Sequence, residues 1–129
     1  MRRRSGFTLL ELLIVIAIIG ILVAIGTASY ASAQKRSRDT RRQGDMKAIQ
    51  NAFEQFYSQN GTYPSSCSIS SDFLLGGIPS DPLGQAYFQS CNVSSYCFCA
   101  GLDLPGKGNA TNKHCNFGSG NFFCVRNLQ

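Results

Sequence analysis

The sequence predicts an α+β protein. One long N-terminal α-helix, whose apolar first half spans a membrane, packs by its second half on a small antiparallel β-sheet of about three strands, and disulfides staple the result. Three observations predict it. About 20 mostly apolar residues run from Phe7 to Gly26, a length that spans a bilayer as a helix. No proline interrupts the chain before Pro64, and Met46, Ile49, Phe53 and Phe56 recur at spacings of three, four and three, with Ala52 beside them, which is one face of a helix. Six cysteines, Cys67, Cys91, Cys97, Cys99, Cys115 and Cys124, all fall in the C-terminal half. An even number of cysteines in a small domain behind a membrane segment reads as a disulfide framework in an oxidising compartment.

The expected organisation has four parts: a leader over residues 1–6, a transmembrane helix over 7–26, its amphipathic continuation over 27–59, and a β-rich, cysteine-rich head over 60–129. Arg2, Arg3 and Arg4 crowd the leader. Behind them, Glu11 is the one acidic residue in the apolar run. A carboxylate at that depth costs roughly 3 kcal/mol on insertion scales, so it marks a functional position by default. Gly20, Gly26 and Gly44 are soft points, each worth roughly 1 kcal/mol against alanine in a helix. The run Lys35-Arg36-Ser37-Arg38-Asp39-Thr40-Arg41-Arg42 reads as a solvated helix segment, or as a basic patch diluted by Asp39 and Asp45. Gln59-Asn60-Gly61 with Pro64 after it stops the helix.

Beyond the helix, Ala86–Cys91, Ser95–Ala100 and Asn121–Val125 have strand composition. On the second, Tyr96 and Phe98 share one face and Cys97 and Cys99 the other. Residues 101–120 are polar, glycine-rich and without periodicity, so they are expected as one long loop anchored by Cys115 and Cys124. Six cysteines allow 15 pairings; a bridge from Cys99 or Cys115 to Cys124 is expected.

Net charge is +5. Without the first six residues, nine basic side chains face seven acidic ones, which is no strong nucleic-acid footprint. No catalytic constellation, phosphate loop or dinucleotide pattern is present in the sequence, and His114 is the single histidine. No enzyme activity, cofactor or metal is expected. Zinc in particular is disfavoured by the lack of a Cys-x-x-Cys pair.

Gly6-Phe7-Thr8-Leu9-Leu10-Glu11, after a short basic leader and before a long apolar run, resembles the class III signal of type IV prepilins and pseudopilins. Asn60-Gly61-Thr62-Tyr63-Pro64 and Ile78-Pro79-Ser80-Asp81-Pro82, leading to Tyr87, resemble the turns that follow the long helix in that family. The resemblance implies cleavage between Gly6 and Phe7 by a prepilin peptidase, methylation of the Phe7 amine, and pairing of Glu11 with that amine on a neighbouring subunit. It implies a homo-oligomeric filament served by an assembly platform and minor pilins. The chain would first sit in the inner membrane with its N-terminus cytoplasmic. A competence-type variant would bind nucleic acid through the Lys35–Arg42 run or the loop lysines; a single-pass anchor that never polymerises is the remaining alternative. The major pseudopilin of type II secretion binds calcium with an acidic cluster in its C-terminal loop. Here Asp103 stands alone among Lys107, Lys113 and His114, so that site is not expected.

Overall fold

The computed structural model describes residues 6–129. Arg2, Arg3 and Arg4, the charges of the expected leader, lie outside the described residues. The chain divides into two compact units, one ending at Gln34 and one covering Lys35–Gln129. Helix α1 spans Leu9–Asn60 and contributes to both.

In the first unit α1 is continuous through Gly20 and Gly26. Its apolar side chains from Leu9 to Ile25 are exposed, as is Phe7 just before it. It is long and apolar enough to cross a membrane. Water cannot tolerate an apolar surface of this extent, so it needs lipid or protein around it.

In the second unit α1 buries one stripe. Asp39, Arg42, Met46, Ile49 and Phe53 are all buried, and their spacings of three, four, three and four keep them on one face. The helix closes at Gly61, whose φ of 71° is the left-handed geometry glycine tolerates. The Gly61 amide donates to the Tyr57 carbonyl at 2.8 Å. Tyr63 then folds back, stacking on Tyr57 with ring centroids 4.6 Å apart.

The sheet has five strands, not three: β1 Phe88–Asn92, β2 Ser95–Gly101, β3 Gly108–Ala110, β4 Phe117–Gly120 and β5 Phe122–Arg126. They are antiparallel in the order β1-β2-β5-β3-β4. β1, β2 and β5 match the three expected strands to within two residues at each end. β3 and β4 lie inside the segment expected as loop. They are short and lack alternation, so periodicity could not reveal them. Their glycines are sheet residues because the strands approach closely: a Cβ on Gly108 would strike the backbone of Phe122, and one on Gly120 the backbone of Ala110.

Tyr96 and Phe98 face the helix and meet Phe53 at 4.8 and 5.1 Å between ring centroids. Tyr63, Tyr87, Ala100 and Val125 complete this core. Aromatic pairs at such distances add about 0.5–1.5 kcal/mol each beyond area burial. Phe56, expected on the same stripe, is only half-buried and packs edge-on against Phe73 of the following loop at 5.3 Å. On the opposite sheet face a small second cluster forms around Cys99, Ala110 and Cys124.

Candidate functional site

The start of α1 carries the first candidate site. Gly6, Phe7 and Thr8 precede the helix. The Thr8 amide and hydroxyl both donate to Glu11 Oε2, at 3.0 and 2.8 Å, and the Glu11 amide donates to Thr8 Oγ1 at 3.2 Å. Thr-x-x-Glu is a reciprocal capping box, which satisfies amides a helix start otherwise leaves without partners. The sequence signal for this partner is the Thr-x-x-Glu spacing of three, which a reading of Glu11 by charge alone does not reveal. The box holds the carboxylate at the helix N-terminus, where the helix dipole favours an anion.

The basic run Lys35–Arg42 is not the uniformly solvated segment its composition suggests. Arg42 Nε and Nη2 donate to the two carboxylate oxygens of Asp81, and Nη1 donates to Asp39 at 2.8 Å and lies 3.1 Å from Asp103. Arg38 Nε donates to Asp103 at 2.6 Å. Asp39 in turn accepts the backbone amides of Asp103 and Leu104 at 2.8 and 2.9 Å. Hydrogen bonding to Asp81, opposed by burial, raises the Arg42 guanidinium above its ordinary value. The same bond from Arg42 holds Asp81 low. Burial pushes Asp103 up, but the bonds from Arg38 and Arg42 outweigh it and its carboxyl is lowered.

These contacts decide whether calcium fits the C-terminal loop. Calcium takes six to eight oxygen ligands and favours several carboxylates. Here the loop's own carboxylate, Asp103, is engaged by two guanidinium groups, and the neighbouring Asp39 is occupied by backbone amides. The residues do not fit calcium. Arginine and disulfides fasten the loop instead.

Three disulfides join Cys67 to Cys91, Cys97 to Cys115 and Cys99 to Cys124. The first ties the segment after the helix to β1. The other two lie on the sheet face away from the aromatic core: Cys97–Cys115 pins the β3–β4 connection to β2, and Cys99–Cys124 joins β2 to β5. Cys97 and Cys99 thus point away from α1, as the alternation of β2 requires.

Charge on the head is sorted by depth. Asp39, Asp45, Glu54, Asp81 and Asp103 all accept hydrogen bonds from within it, Asp45 from Tyr87 and Glu54 from Tyr63, Tyr96 and the Leu128 amide. Among the described residues, Lys35, Arg36, Arg41, Lys47, Lys107, Lys113 and Arg126 form no salt bridge. Composition cannot show this, because it counts inward carboxylates as if they covered the surface.

Fold and site together define a class: a subunit with a disulfide-stapled α+β head behind an N-terminal helix long and apolar enough to cross a membrane. Residues 1–27 match the prokaryotic N-terminal methylation motif. The type II secretion system core protein G of Pseudomonas aeruginosa is 38% identical over 103 residues, covering 67% of this chain and 72% of that protein. The type IV major pilin protein PilA of Myxococcus xanthus is 43% identical over 61 residues, and the type IV major alpha-pilin of Moraxella bovis 46% over 54. The matched stretches span 47% and 42% of this chain but only 28% and 34% of those two pilins. The chain belongs to the type IV pilin and pseudopilin family.

Proposed function

We propose that this chain is a structural subunit of a type IV pilus or pseudopilus-like filament. The observation that carries the reading is the capped Glu11 at the head of a helix whose apolar surface is exposed along its length. The precursor waits in the inner membrane with its N-terminus cytoplasmic. A prepilin peptidase cuts between Gly6 and Phe7, and the freed Phe7 amine is methylated. Helices then leave lipid for one another on an assembly platform, with minor pilins. Glu11 exchanges part of its Thr8 cap for the cationic Phe7 amine of a neighbour, a pairing that relieves the cost of a carboxylate in an apolar bundle and sets axial register. The work of the subunit is packing and charge pairing, and no catalytic role is assigned to any residue.

Mass spectrometry of the mature chain tests this reading. A chain beginning at N-methylated Phe7 supports it. A mature chain beginning at Met1 would leave only a single-pass anchor.

A second reading, nucleic-acid capture by the head, draws support from two clefts. One, of about 430 Å³, is lined by Arg36, Asp39, Thr40, Gln43, Leu104 and Lys107, with Asp39 already held by Arg42 and backbone amides; the other, of about 370 Å³, includes Lys47, Gln50, Phe117 and Arg126. Positions 36, 40, 43, 47 and 50 share one helix face. Arg126 lies 4.8 Å over the Phe117 ring, and cations with an aromatic platform suit single strands. Anisotropy of a labelled oligonucleotide with the full chain in detergent, over a salt series, decides it: no binding at low salt removes the reading.

A further inference from the structure

Two cations from distant parts of the chain meet in one cleft of the head. Arg36 comes from α1 and Lys107 from the turn between β2 and β3, and with Asp39, Thr40, Gln43 and Leu104 they line about 430 Å³. Hydrogen bonds fix the backbone of that turn. The Leu104 amide donates to Asp39 Oδ2 at 2.9 Å, the Leu102 amide to the Asn121 carbonyl at 2.8 Å, and the Gly106 amide to Asn121 Oδ1 at 2.8 Å. Gly106 takes a left-handed φ of 69° there, which glycine adopts without strain. The fold therefore delivers Lys107 to the Arg36 side of the helix. Both cations are exposed, and among the described residues neither forms a salt bridge. The one carboxylate in the cleft, Asp39, is already bonded to Arg42 and to two backbone amides.

We propose that this cleft holds the phosphate of an anionic phospholipid while the subunit is still in the membrane, a step that rests on the membrane-held precursor of the filament reading. Arg36 and Lys107 offer two cations to one phosphate, the guanidinium in a two-pronged fork and the ammonium as a point charge. Gln43 adds an amide able to donate, whereas the Thr40 hydroxyl already donates to the Arg36 carbonyl at 2.9 Å. Leu104 gives an apolar wall against which the glycerol of a lipid can lie. No aromatic side chain lines this cleft, so it lacks the stacking platform on which single-stranded nucleic acid depends. The cleft at Phe117 has one.

The length of chain between the cleft and the apolar run favours the lipid. Arg36 follows Gly26, the end of that run, by ten positions. Ten helical residues rise about 15 Å, and the headgroup layer is about 5–8 Å deep beyond the hydrocarbon. A long basic side chain covers most of the difference, and attraction persists for about 8 Å more at physiological salt. Basic residues just outside a membrane segment are drawn to anionic headgroups in this way. Lys35, exposed beside Arg36, strengthens the field. The basic run alone supplies cations on one helix; the turn adds a fixed cation opposite, which makes a cleft of a patch. A subunit whose helix has left the bilayer leaves the headgroup behind, so the cleft steadies the head only before assembly.

The test uses the full chain in nanodiscs, of phosphatidylcholine alone or of phosphatidylcholine and phosphatidylglycerol in equal parts. Lysines are labelled with an amine-reactive reagent, and peptide mapping gives the rate at each, with Lys47 and Lys113 as internal references. Lys107 should slow by about threefold or more in the anionic discs, while Lys47 and Lys113 hold their rates. Arg36→Gln should return Lys107 to most of its original rate, with circular dichroism following the fold. Inorganic phosphate, at matched ionic strength in the phosphatidylcholine discs, should protect Lys107 less than the anionic lipid does. Unchanged labelling of Lys107 in anionic discs overturns the proposal, and so does protection that survives Arg36→Gln. Equal slowing of Lys47 and Lys113 overturns it in favour of general surface attraction. Equal protection by inorganic phosphate makes the cleft a free-anion site, and stronger protection by a single-stranded oligonucleotide makes it a nucleic-acid site; either overturns the lipid assignment. A chain that enters neither disc removes the membrane reading and this proposal together, whereas one that enters both without slowing at Lys107 removes the proposal alone.

Discussion

Arg42 on α1 grips Asp81, 39 residues further along the chain, through two hydrogen bonds to the two oxygens of one carboxylate. Both side chains are shielded, at 4% and 13% exposure. This fork ties the middle of the helix to the Pro79-Ser80-Asp81-Pro82 turn. Asp81 also shapes that turn, accepting the Leu83 amide through its side chain at 2.8 Å and the Gly84 amide through its carbonyl at 2.7 Å.

Arg42→Ala should destabilise the head by about 3–5 kcal/mol, because it leaves buried carboxylates without their cation. Arg42→Lys should recover only part of this, since an ammonium cannot make the two-pronged contact. Arg38→Ala, at a more exposed pair, should cost no more than about 1 kcal/mol. Thermal unfolding of the full chain in detergent, read by near-ultraviolet circular dichroism, separates the three. Equal losses for Arg42→Ala and Arg38→Ala would contradict the central role of Arg42.

Acid should loosen the same cluster. The folded head lowers the carboxyls of Asp81 and Asp103, so their stabilisation is fully present above the unfolded carboxylate range, about pH 4–5, and is lost as pH falls through the folded values. At the alkaline end the sign reverses. Burial first, then the bond to Glu54, pushes Tyr63 up to about 12, and burial likewise raises Tyr87 and Tyr96. Stability from these phenols holds below about pH 10 and falls as pH rises through their folded values. Unfolding midpoints at pH 2, 4, 7 and 11 check both limbs, and Arg42→Ala should flatten the acid limb only.

Mild reductant should open Cys97–Cys115 before Cys99–Cys124, because the sulfurs of the second pair belong to nearly inaccessible residues, Cys99 at 2% and Cys124 at 1% exposure, and thiolate attack needs access. Alkylation at rising reductant concentrations followed by peptide mapping gives the order. Removing either bridge by paired serines should cost about 2–4 kcal/mol, as expected for loops of 18 and 25 residues.

Thr8→Ala should weaken the start of α1 by about 0.5–2 kcal/mol, the usual cost of a lost N-cap, while Thr8→Ser keeps the hydroxyl and the cap. On the filament reading, Glu11→Ala leaves cleavage after Gly6 intact but lowers filament yield, and Thr8→Ala falls between it and the wild type. Quantitative blotting of processed subunit against sheared filaments reads both steps. Undiminished filament yield from Glu11→Ala would remove the register role.

Much of the architecture lies in patterns of short range. The apolar run, the helix stripe through Phe53, the Asn60-Gly61 stop and the alternation of Tyr96 and Phe98 against Cys97 and Cys99 each depend on residues a few positions apart, where helix and strand periods act directly. β3 and β4 do not. Three and four residues long, with glycines where alternation would be, they exist because neighbouring strands hold their backbones in place and the Cys97–Cys115 bridge ties down the connection between them.

The candidate site divides along the same line. The Arg2–Arg4 run, Gly6-Phe7, Glu11 and a membrane-length apolar stretch are local features visible in the sequence, whereas the Thr8 cap on Glu11 emerged with the structure. The fate of the basic run was decided only by tertiary structure. Lys35 through Arg42 look alike to a count of charges, yet position on the helix face turns Arg42 inward and leaves Arg41 outside. Its partners Asp81 and Asp103 come from loops whose paths depend on the folded sheet. The same holds for the two bridges on the outer sheet face: Cys-x-Cys is visible as text, but strand register and the β3–β4 connection bring Cys124 and Cys115 to it. Burial and long-range pairing are properties of the packed chain, and they set which charges and thiols meet.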